Sequence, residues 1–293
     1  MPLRFDPWFL AIRPKTLPAS IAPVLLGSAM AFGDGIGHWP SALLALLGAV
    51  LIQIGTNLAN DYFDSRNGVD TVERKGPLRV TQSGLIPASA VRVAFISAFA
   101  LAGVAGLFLV LRAGWPVVII GVLSILSGIF YAAGPRPLSH LGLGELFVLI
   151  FFGPVAVAGT YYVQSFEING AVVLAGLACG FFSTAVLCVN NLRDITTDRR
   201  AGKRTLAVRF GDRFARGEYL FCLLAACACP PLVFAVTDQH PWTMAASLVI
   251  FACLPLVETV YRGDRPEALN DVLARTGKML LWFTLIYSIT WII

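Results

Sequence analysis

An all-α, polytopic membrane protein is the fold this sequence predicts, and three observations predict it. Of its 293 residues, 57% are hydrophobic and only 13% are charged, against a charged share of about 25% in soluble domains. Mean hydropathy is +0.76. Apolar runs long enough to cross a bilayer, roughly 17–25 residues each, recur along the whole chain. The short alternating strands that a β-barrel requires are missing from the sequence pattern.

The first run, at 17–32, is interrupted by Pro18 and Pro23. It is followed by runs at 42–59, 91–111, 117–133, 145–162, 171–189, 219–236 and 242–260, and by a short last one at 279–293. Eight or nine helices are therefore expected, about nine when both short ends are counted, with ends placed to within about 2–4 residues. The chain 1–293 reads as one membrane-embedded domain. Arg4, Arg13 and Lys15 precede an apolar stretch ending in Ala29-Met30-Ala31, a pattern similar to a secretory signal. A chain with many spans keeps its first helix as an anchor, so the segment is expected to stay.

Charge gives an orientation. With nine spans, 21 of the 22 Lys and Arg fall on the side of the N-terminus, and only Arg112 falls opposite. Cytoplasmic loops collect Lys and Arg, so that side is expected to be cytoplasmic, in a plasma (inner) membrane. Trp39, Trp115, Trp242 and Trp291 stand at the opposite span ends, where an interfacial aromatic belt is expected.

The same distribution argues against nucleic acid as a partner. The net charge of +5 follows from topology and contact with anionic lipid of the bilayer, with no basic, aromatic-interleaved soluble surface to carry it. All six cysteines, Cys179, Cys188, Cys222, Cys227, Cys229 and Cys253, lie in expected spans and read as small apolar residues. His38, His140 and His240 fall in short connections with no nucleophile beside them.

Polar residues concentrate in two long, charged connections on the Lys- and Arg-rich side, near 60–90 and 190–218. The first opens Asn57-Leu58-Ala59-Asn60-Asp61-Tyr62-Phe63-Asp64 and runs on to Asp70. The second opens Asn190-Asn191-Leu192-Arg193-Asp194 and runs on to Asp198. Asp61 and Asp194 are 133 residues apart, as in a diverged duplication of about 1–140 and 141–293. On a helix, Asn57, Asp61 and Asp64 share one face, and so do Asn190, Asp194 and Asp198. Acids at membrane depth cost about 2.5–3.5 kcal/mol each near a helix centre, and a divalent cation is the natural compensation. Hard oxygen ligands that leave positions open for phosphate suit Mg²⁺. Lys75 and Arg79 follow the first cluster, and Arg193, Lys203 and Arg204 surround the second. Carboxylates for a cation plus Lys and Arg for a polyanion describe a diphosphate site. The bland reading, helix caps and solvated charges, explains either cluster alone but fits two matched ones poorly.

At these residues the chain resembles the UbiA superfamily of membrane prenyltransferases, whose mark is two Asp-rich motifs on helical spans. The resemblance covers nearly the whole sequence. Arg13-Pro14-Lys15-Thr16-Leu17-Pro18, Gly134-Pro135-Arg136-Pro137-Leu138, Gly142-Leu143-Gly144-Glu145 and Gly202-Lys203-Arg204-Thr205-Leu206-Ala207-Val208-Arg209 look like the branch that prenylates 1,4-dihydroxy-2-naphthoate in menaquinone synthesis. The resemblance implies a bundle of nine helices around a central cavity, polyprenyl diphosphate as donor, an aromatic acid as acceptor, and dependence on Mg²⁺. It implies that Asn57, Asp61, Asp64, Asp194 and Asp198 hold the metal and diphosphate, with the four aspartates as metal ligands. Lys15, Asn60, Asp70, Asn190 and Asn191 flank the site, and Arg79, Arg193, Lys203 and Arg204 stabilise the leaving group. Tyr131, with Tyr161 or Tyr162, is placed to face an allylic cation through its ring; each also reads as an interfacial tyrosine. Glu145 either orients substrate or favours its helix N-terminus.

Three other functions share parts of this pattern. A 4-hydroxybenzoate or other ring prenyltransferase would keep the Asp motifs and lose the naphthoate-like segments. A cation-coupled transporter would place its acids near the midplane on interrupted helices, whereas these lie at span ends. A structural membrane protein would need no matched acidic clusters.

Overall fold

Hydropathy reports where the membrane ends, while hydrogen bonding decides where a helix ends, and in this chain the two differ by several turns. The computed structural model describes residues 6–66, 79–134, 137–263 and 266–293. The chain begins with a one-turn helix α1 (Pro7–Ile12), followed by a 3₁₀ turn (Pro14–Thr16) that leads into α2 (Leu17–Gly33). Then come α3 (Trp39–Arg66), α4 (Ala88–Ala113), α5 (Trp115–Phe130), a short α6 (Leu138–Leu141), α7 (Gly144–Phe151) and α8 (Pro154–Ser165). The second half holds α9 (Gly170–Arg200), α10 (Leu206–Phe210), α11 (Asp212–Thr237), a 3₁₀ segment (Pro241–Leu248), α12 (Val249–Arg262) and α13 (Pro266–Ile292). Among the described residues no strand occurs. Among the described residues eight helical stretches are long and apolar enough to span a membrane, and α5 is a shorter apolar ninth.

The two polar clusters lie inside helices, where the sequence pattern suggested connections. α3 has 28 residues and α9 has 31, so at 1.5 Å per residue they run about 42 and 46 Å, past a hydrocarbon core of about 30 Å. Their last turns therefore carry Asn and Asp beyond the apolar run with the backbone still helical. α13 likewise starts at Pro266, well before the apolar run at 279–293.

The fifth span is broken between α7 and α8. Pro154 at the start of α8 lacks an N–H, which ends the preceding hydrogen-bond ladder. The break packs on α9 through small residues: a Cβ on Gly180 would stand 2.3 Å from the Leu149 carbonyl oxygen, so only glycine lets these backbones meet.

Packing divides unevenly. A large apolar core joins α2, α8, α9, α11, α12 and α13 around Leu26, Phe182, Leu223, Leu280 and Phe283. A smaller one joins α1, α3 and α4 around Leu58, Tyr62, Val91 and Phe95. α3 packs most extensively on α4, and α9 on α11. Trp39, Trp115 and Trp242 are 67%, 72% and 68% exposed at the end far from the acid clusters, as a belt requires. Trp291 is not part of that belt. It is 4% exposed, donates from Nε1 to Asp34 at 2.9 Å and stacks on His240.

Candidate active site

A cavity of about 690 Å³ lies between α3, α4 and α5 on one side and α8 and α9 on the other. Its depth is apolar, walled by residues such as Leu107, Val118, Ile120 and Phe151, and its polar end is formed by the last turns of α3 and α9. That volume falls in the range of small-molecule sites, about 300–1,000 Å³.

On α3, Asn57, Asn60 and Asp64 line the cavity, and Asp61 does not. The cavity-facing set is thus i, i+3, i+7, rotated toward Asn60 from the expected i, i+4, i+7. Asp61 is turned to the returning chain, where it accepts from the backbone N–H groups of Val80 at 3.1 Å and Thr81 at 3.0 Å. Asp64 accepts from Arg79 Nη2 at 2.6 Å, both side chains being buried. The carboxylate of Asp61 therefore fixes the backbone that presents Arg79 to Asp64. Asn57 donates through Nδ2 to the Ile12 carbonyl at 2.8 Å and to Thr16 Oγ1 at 3.0 Å. Asn60 Oδ1 is buried with no hydrogen-bond partner among the described residues.

On α9, Asn190, Asn191, Asp194, Thr197 and Asp198 line the cavity, the face expected from their spacing. Arg193 is buried and does not line it. Its guanidinium takes Asp194 bidentately, at 2.8 and 2.5 Å. It also donates to Asn270 at 2.7 Å and Asn190 at 2.8 Å. In this structure Arg193 is engaged by Asp194, Asn190 and Asn270. Lys203 lines the cavity, 3.5 Å from Asp198, whereas Arg204 is exposed and outside it. Asn191 donates to Glu145 at 2.7 Å; Glu145 is buried and holds a site residue.

The naphthoate-like segments at 134–145 and 202–209 meet each other. The Arg204 N–H donates to the His140 carbonyl at 3.1 Å, and Arg209 Nη2 donates to the Leu141 carbonyl at 2.7 Å. Gly142, at φ 71°, lies where a Cβ would stand 2.6 Å from the Arg204 carbonyl oxygen, so both its conformation and its neighbour require glycine. These contacts seat Lys203 and Thr205 at the cavity.

Tyr131, at the end of α5, also lines it. Tyr161 and Tyr162 do not reach the cavity wall; they donate to Asp34 at 2.7 Å and to the Ala113 carbonyl at 3.1 Å near the other membrane surface. Lys15 lines the cavity as expected, and Asp70 lies outside the described residues. Arg13, Thr16 and Gln53 are also in the wall. Gln53 was legible as a mid-span polar residue one turn before Asn57 on the same face.

Asp64 on one wall and Asp194 with Asp198 on the other offer the hard oxygen ligands that a divalent cation takes. Among the described residues no three His, Cys, Asp or Glu converge on one point.

The chain is similar to known proteins over nearly its whole length. A 1,4-dihydroxy-2-naphthoate octaprenyltransferase of Escherichia coli K12 is 38% identical over 290 residues, covering 97% of this chain and 94% of that protein. One of the same description from Mycobacterium tuberculosis is 40% identical over 279 residues, 95% of this chain and 94% of that one. A UbiA homolog of Archaeoglobus fulgidus, bound to GPP and Mg²⁺, shares the fold with a TM-score of 0.70 at 17% identity, over 98% of this chain and 99% of that chain. Residues 20–284 match the UbiA prenyltransferase family, and with a fold and cavity of this kind the chain belongs to that family of membrane-embedded prenyltransferases.

Proposed function

We propose that this protein transfers a polyprenyl group from polyprenyl diphosphate to 1,4-dihydroxy-2-naphthoate, with loss of the acceptor's carboxylate. The observation that carries the reading is one cavity that combines an apolar depth with two facing acid–cation clusters at its polar end. The apolar walls take the prenyl chain and keep water from an allylic cation. Arg79 and Lys203, beside Asp64 and Asp198, face the diphosphate and balance the charge that grows as it departs. Mg²⁺ held by oxygens of Asp64, Asp194 and Asp198 supplies further neutralisation of that charge. Asn60, Asn190 and Asn191 complete the polar end, and the ring of Tyr131 is placed to stabilise the cation. Asn57 and Asp61 act by holding backbone.

The bonds balance without an added base. The allylic C–O bond breaks with its electron pair on the diphosphate, and the carbon bearing the carboxylate attacks the allylic carbon. The C–CO₂⁻ bond then breaks, and its electron pair restores aromaticity as CO₂ leaves. A 4-hydroxybenzoate enzyme must pass a ring proton to a base or water, and no His stands in this cavity wall among the described residues. The naphthoate names of relatives at 38% and 40% identity support the choice.

The polar end of the cavity is read as cytoplasmic from the 21 of 22 Lys and Arg on that side, and the paired packing of α3 with α4 and α9 with α11 supports a duplication of about 1–140 and 141–293. Labelling of Ser65→Cys by an impermeant reagent outside intact cells would reverse the topology. The acceptor is tested by mass spectrometry of the lipid product after purified protein receives a polyprenyl diphosphate, Mg²⁺ and a panel of aromatic acids. The naphthoate reading requires a product lacking the carboxylate; prenylation of 4-hydroxybenzoate with the naphthoate untouched would refute it.

A further inference from the structure

The second polar cluster opens with two adjacent asparagines, and their side chains offer the cavity opposite polarity. Asn190 and Asn191 both line it. Asn190 accepts through Oδ1 from Arg193 Nη2 at 2.8 Å, and Asn191 donates through Nδ2 to Glu145 Oε1 at 2.7 Å. A guanidinium has no acceptor and a carboxylate has no donor, so neither amide can turn over against its partner. Asn190 is left with N–H groups for the cavity and Asn191 with its carbonyl oxygen. Neither side chain has a further hydrogen-bond partner among the described residues. Asn57 on α3 is the contrast: Nδ2 serves Ile12 and Thr16, and Oδ1 accepts from Gln53 at 3.4 Å.

Glu145 sets the Asn191 polarity from outside the cavity wall. It is buried in the first turn of α7, where backbone N–H groups without helical partners favour a carboxylate. A Cβ on the preceding Gly144 would lie 3.5 Å from the Tyr131 hydroxyl and from Leu187 Cδ2. The start of α7 is thus seated against Tyr131, just past α5, and against α9, which brings the carboxylate up behind Asn191. Among the described residues Glu145 pairs with no Lys or Arg. Its partner is an amide that has the cavity on its other side.

A carbonyl oxygen held toward a cavity calls for a donor. Diphosphate, carboxylate and prenyl chain offer none, and the hydroxyls of the aromatic acceptor do. In 1,4-dihydroxy-2-naphthoate the 1-hydroxyl lies beside the carboxylate and donates to it within the molecule, whereas the 4-hydroxyl has no internal acceptor. Asn191 stands three residues before Asp194 on α9, about 4.5 Å farther from the polar end at 1.5 Å per residue, on the side where a ring would lie. We propose that Glu145 is a positioning residue: it holds the Asn191 amide with its carbonyl toward the cavity, where that oxygen accepts from the free ring hydroxyl and selects acceptors that carry one. This rests on the acceptor being a hydroxylated aromatic acid.

The test compares 1,4-dihydroxy-2-naphthoate with 1-hydroxy-2-naphthoate, which lacks only the 4-hydroxyl. Equilibrium binding of each is measured on full-length protein in detergent with Mg²⁺ and inorganic diphosphate. Wild type is expected to bind the dihydroxy acid about 5- to 50-fold more tightly, since the analogue leaves the Asn191 oxygen unpaired. Asn191→Ala should shrink that preference below about twofold, by losing affinity for the dihydroxy acid. Glu145→Gln keeps the shape, but its amide can meet Asn191 in either orientation. The preference should then fall about threefold or more at a Tm close to wild type, whereas a merely structural Glu145 would change affinity for both acids alike. No preference in wild type, an equal loss for both acids, or a wild-type preference kept in Glu145→Gln overturns the proposal. So does an unchanged preference with a raised Mg²⁺ requirement, which makes the Asn191 oxygen a metal ligand. If Asn191→Ala does not accumulate, Glu145→Gln decides alone. If wild type prenylates a different hydroxylated aromatic acid, the naphthoate reading fails, and that acid with its deoxy analogue still decides Glu145. If it prenylates none, both fall.

Discussion

On α3 the acids serve a chain that leaves and returns, and on α9 they are set by the helix that bears them. Asp61 binds the N–H groups of Val80 and Thr81, and Asp64 binds Arg79, so the geometry of the first cluster depends on residues some 15–20 positions onward. Asp194 is clasped by the adjacent Arg193, and Asp198 has Lys203 five residues away. The cause is which segment meets each carboxylate. On α3, backbone at Val80 and Thr81 reaches Asp61 and the Arg79 side chain reaches Asp64. α9 carries Arg193 and Asp194 within its own regular turns. Similar strings of Asn and Asp therefore build one wall that closes through a distant segment and one that is pre-set.

The largest expected effect tests whether the walls are equivalent in chemistry despite this. Asp64→Asn and Asp194→Asn, one from each, should each lower kcat by about 10²–10³-fold or more, the scale seen when preorganised charge stabilisation is removed. Neither should prevent accumulation in the membrane. If one variant stays near wild-type rates with saturating Mg²⁺, the site has a single working wall.

Next comes Arg193→Gln. It strands the buried carboxylate of Asp194 and releases Asn190 and Asn270, and breaking a buried pair from one side costs about 3–5 kcal/mol of stability. A lower Tm with about a 10-fold or greater loss of kcat is the expected outcome. An enzyme with wild-type Tm and a raised donor KM would instead make Arg193 a direct diphosphate ligand.

Asp61 sharpens the contrast. Asp61→Ala leaves the buried N–H of Val80 and the half-buried N–H of Thr81 without this acceptor, at about 1–3 kcal/mol for the buried one, and should lower Tm and weaken donor binding through a loosened Arg79. Asp61→Asn keeps an acceptor oxygen and should retain most of the stability and a larger share of activity. Should Asp61→Asn be as inactive as Asp64→Asn at unchanged Tm, Asp61 is a metal ligand and the two clusters are alike.

Much of this was legible in the sequence. Helical class, the number of spans and the α9 face follow from apolar periodicity and from Asn190, Asp194 and Asp198 at helical spacing. What was not legible depends on contacts between distant segments. The i, i+4, i+7 spacing of Asn57, Asp61 and Asp64 is compatible with either rotation of α3. Only the returning backbone at Val80 and Thr81 draws Asp61 away from the cavity. Trp291 stands at a span end like the belt tryptophans, yet Asp34 and His240 meet it there. Arg13 carries a positive charge before a span, which topology alone accounts for, and its place in the wall is set by Asn57 and Gln53, about 40 residues onward.

The smallest effect separates neighbours that the sequence makes look alike. Lys203 and Arg204 are both basic, both follow the second acid cluster, and both were expected on the leaving group. The turn after α9 divides them. Lys203 lines the cavity at 3.5 Å from Asp198, and the Arg204 side chain is exposed while its N–H holds the His140 carbonyl. Any residue but proline supplies that N–H, so Arg204→Gln removes only a solvated charge, and surface changes of this kind stay within about 0.5 kcal/mol. Donor KM and kcat should both remain within about twofold of wild type. Lys203→Gln takes a cation from the polar end of the cavity and should lower kcat/KM for the donor several-fold or more, with the acceptor KM unchanged. If the order is reversed, and Arg204→Gln is the more damaging, the turn reorganises when substrate binds and brings Arg204 to the anion. That result would make the α9 wall, like the α3 wall, one that closes through a segment outside its helix.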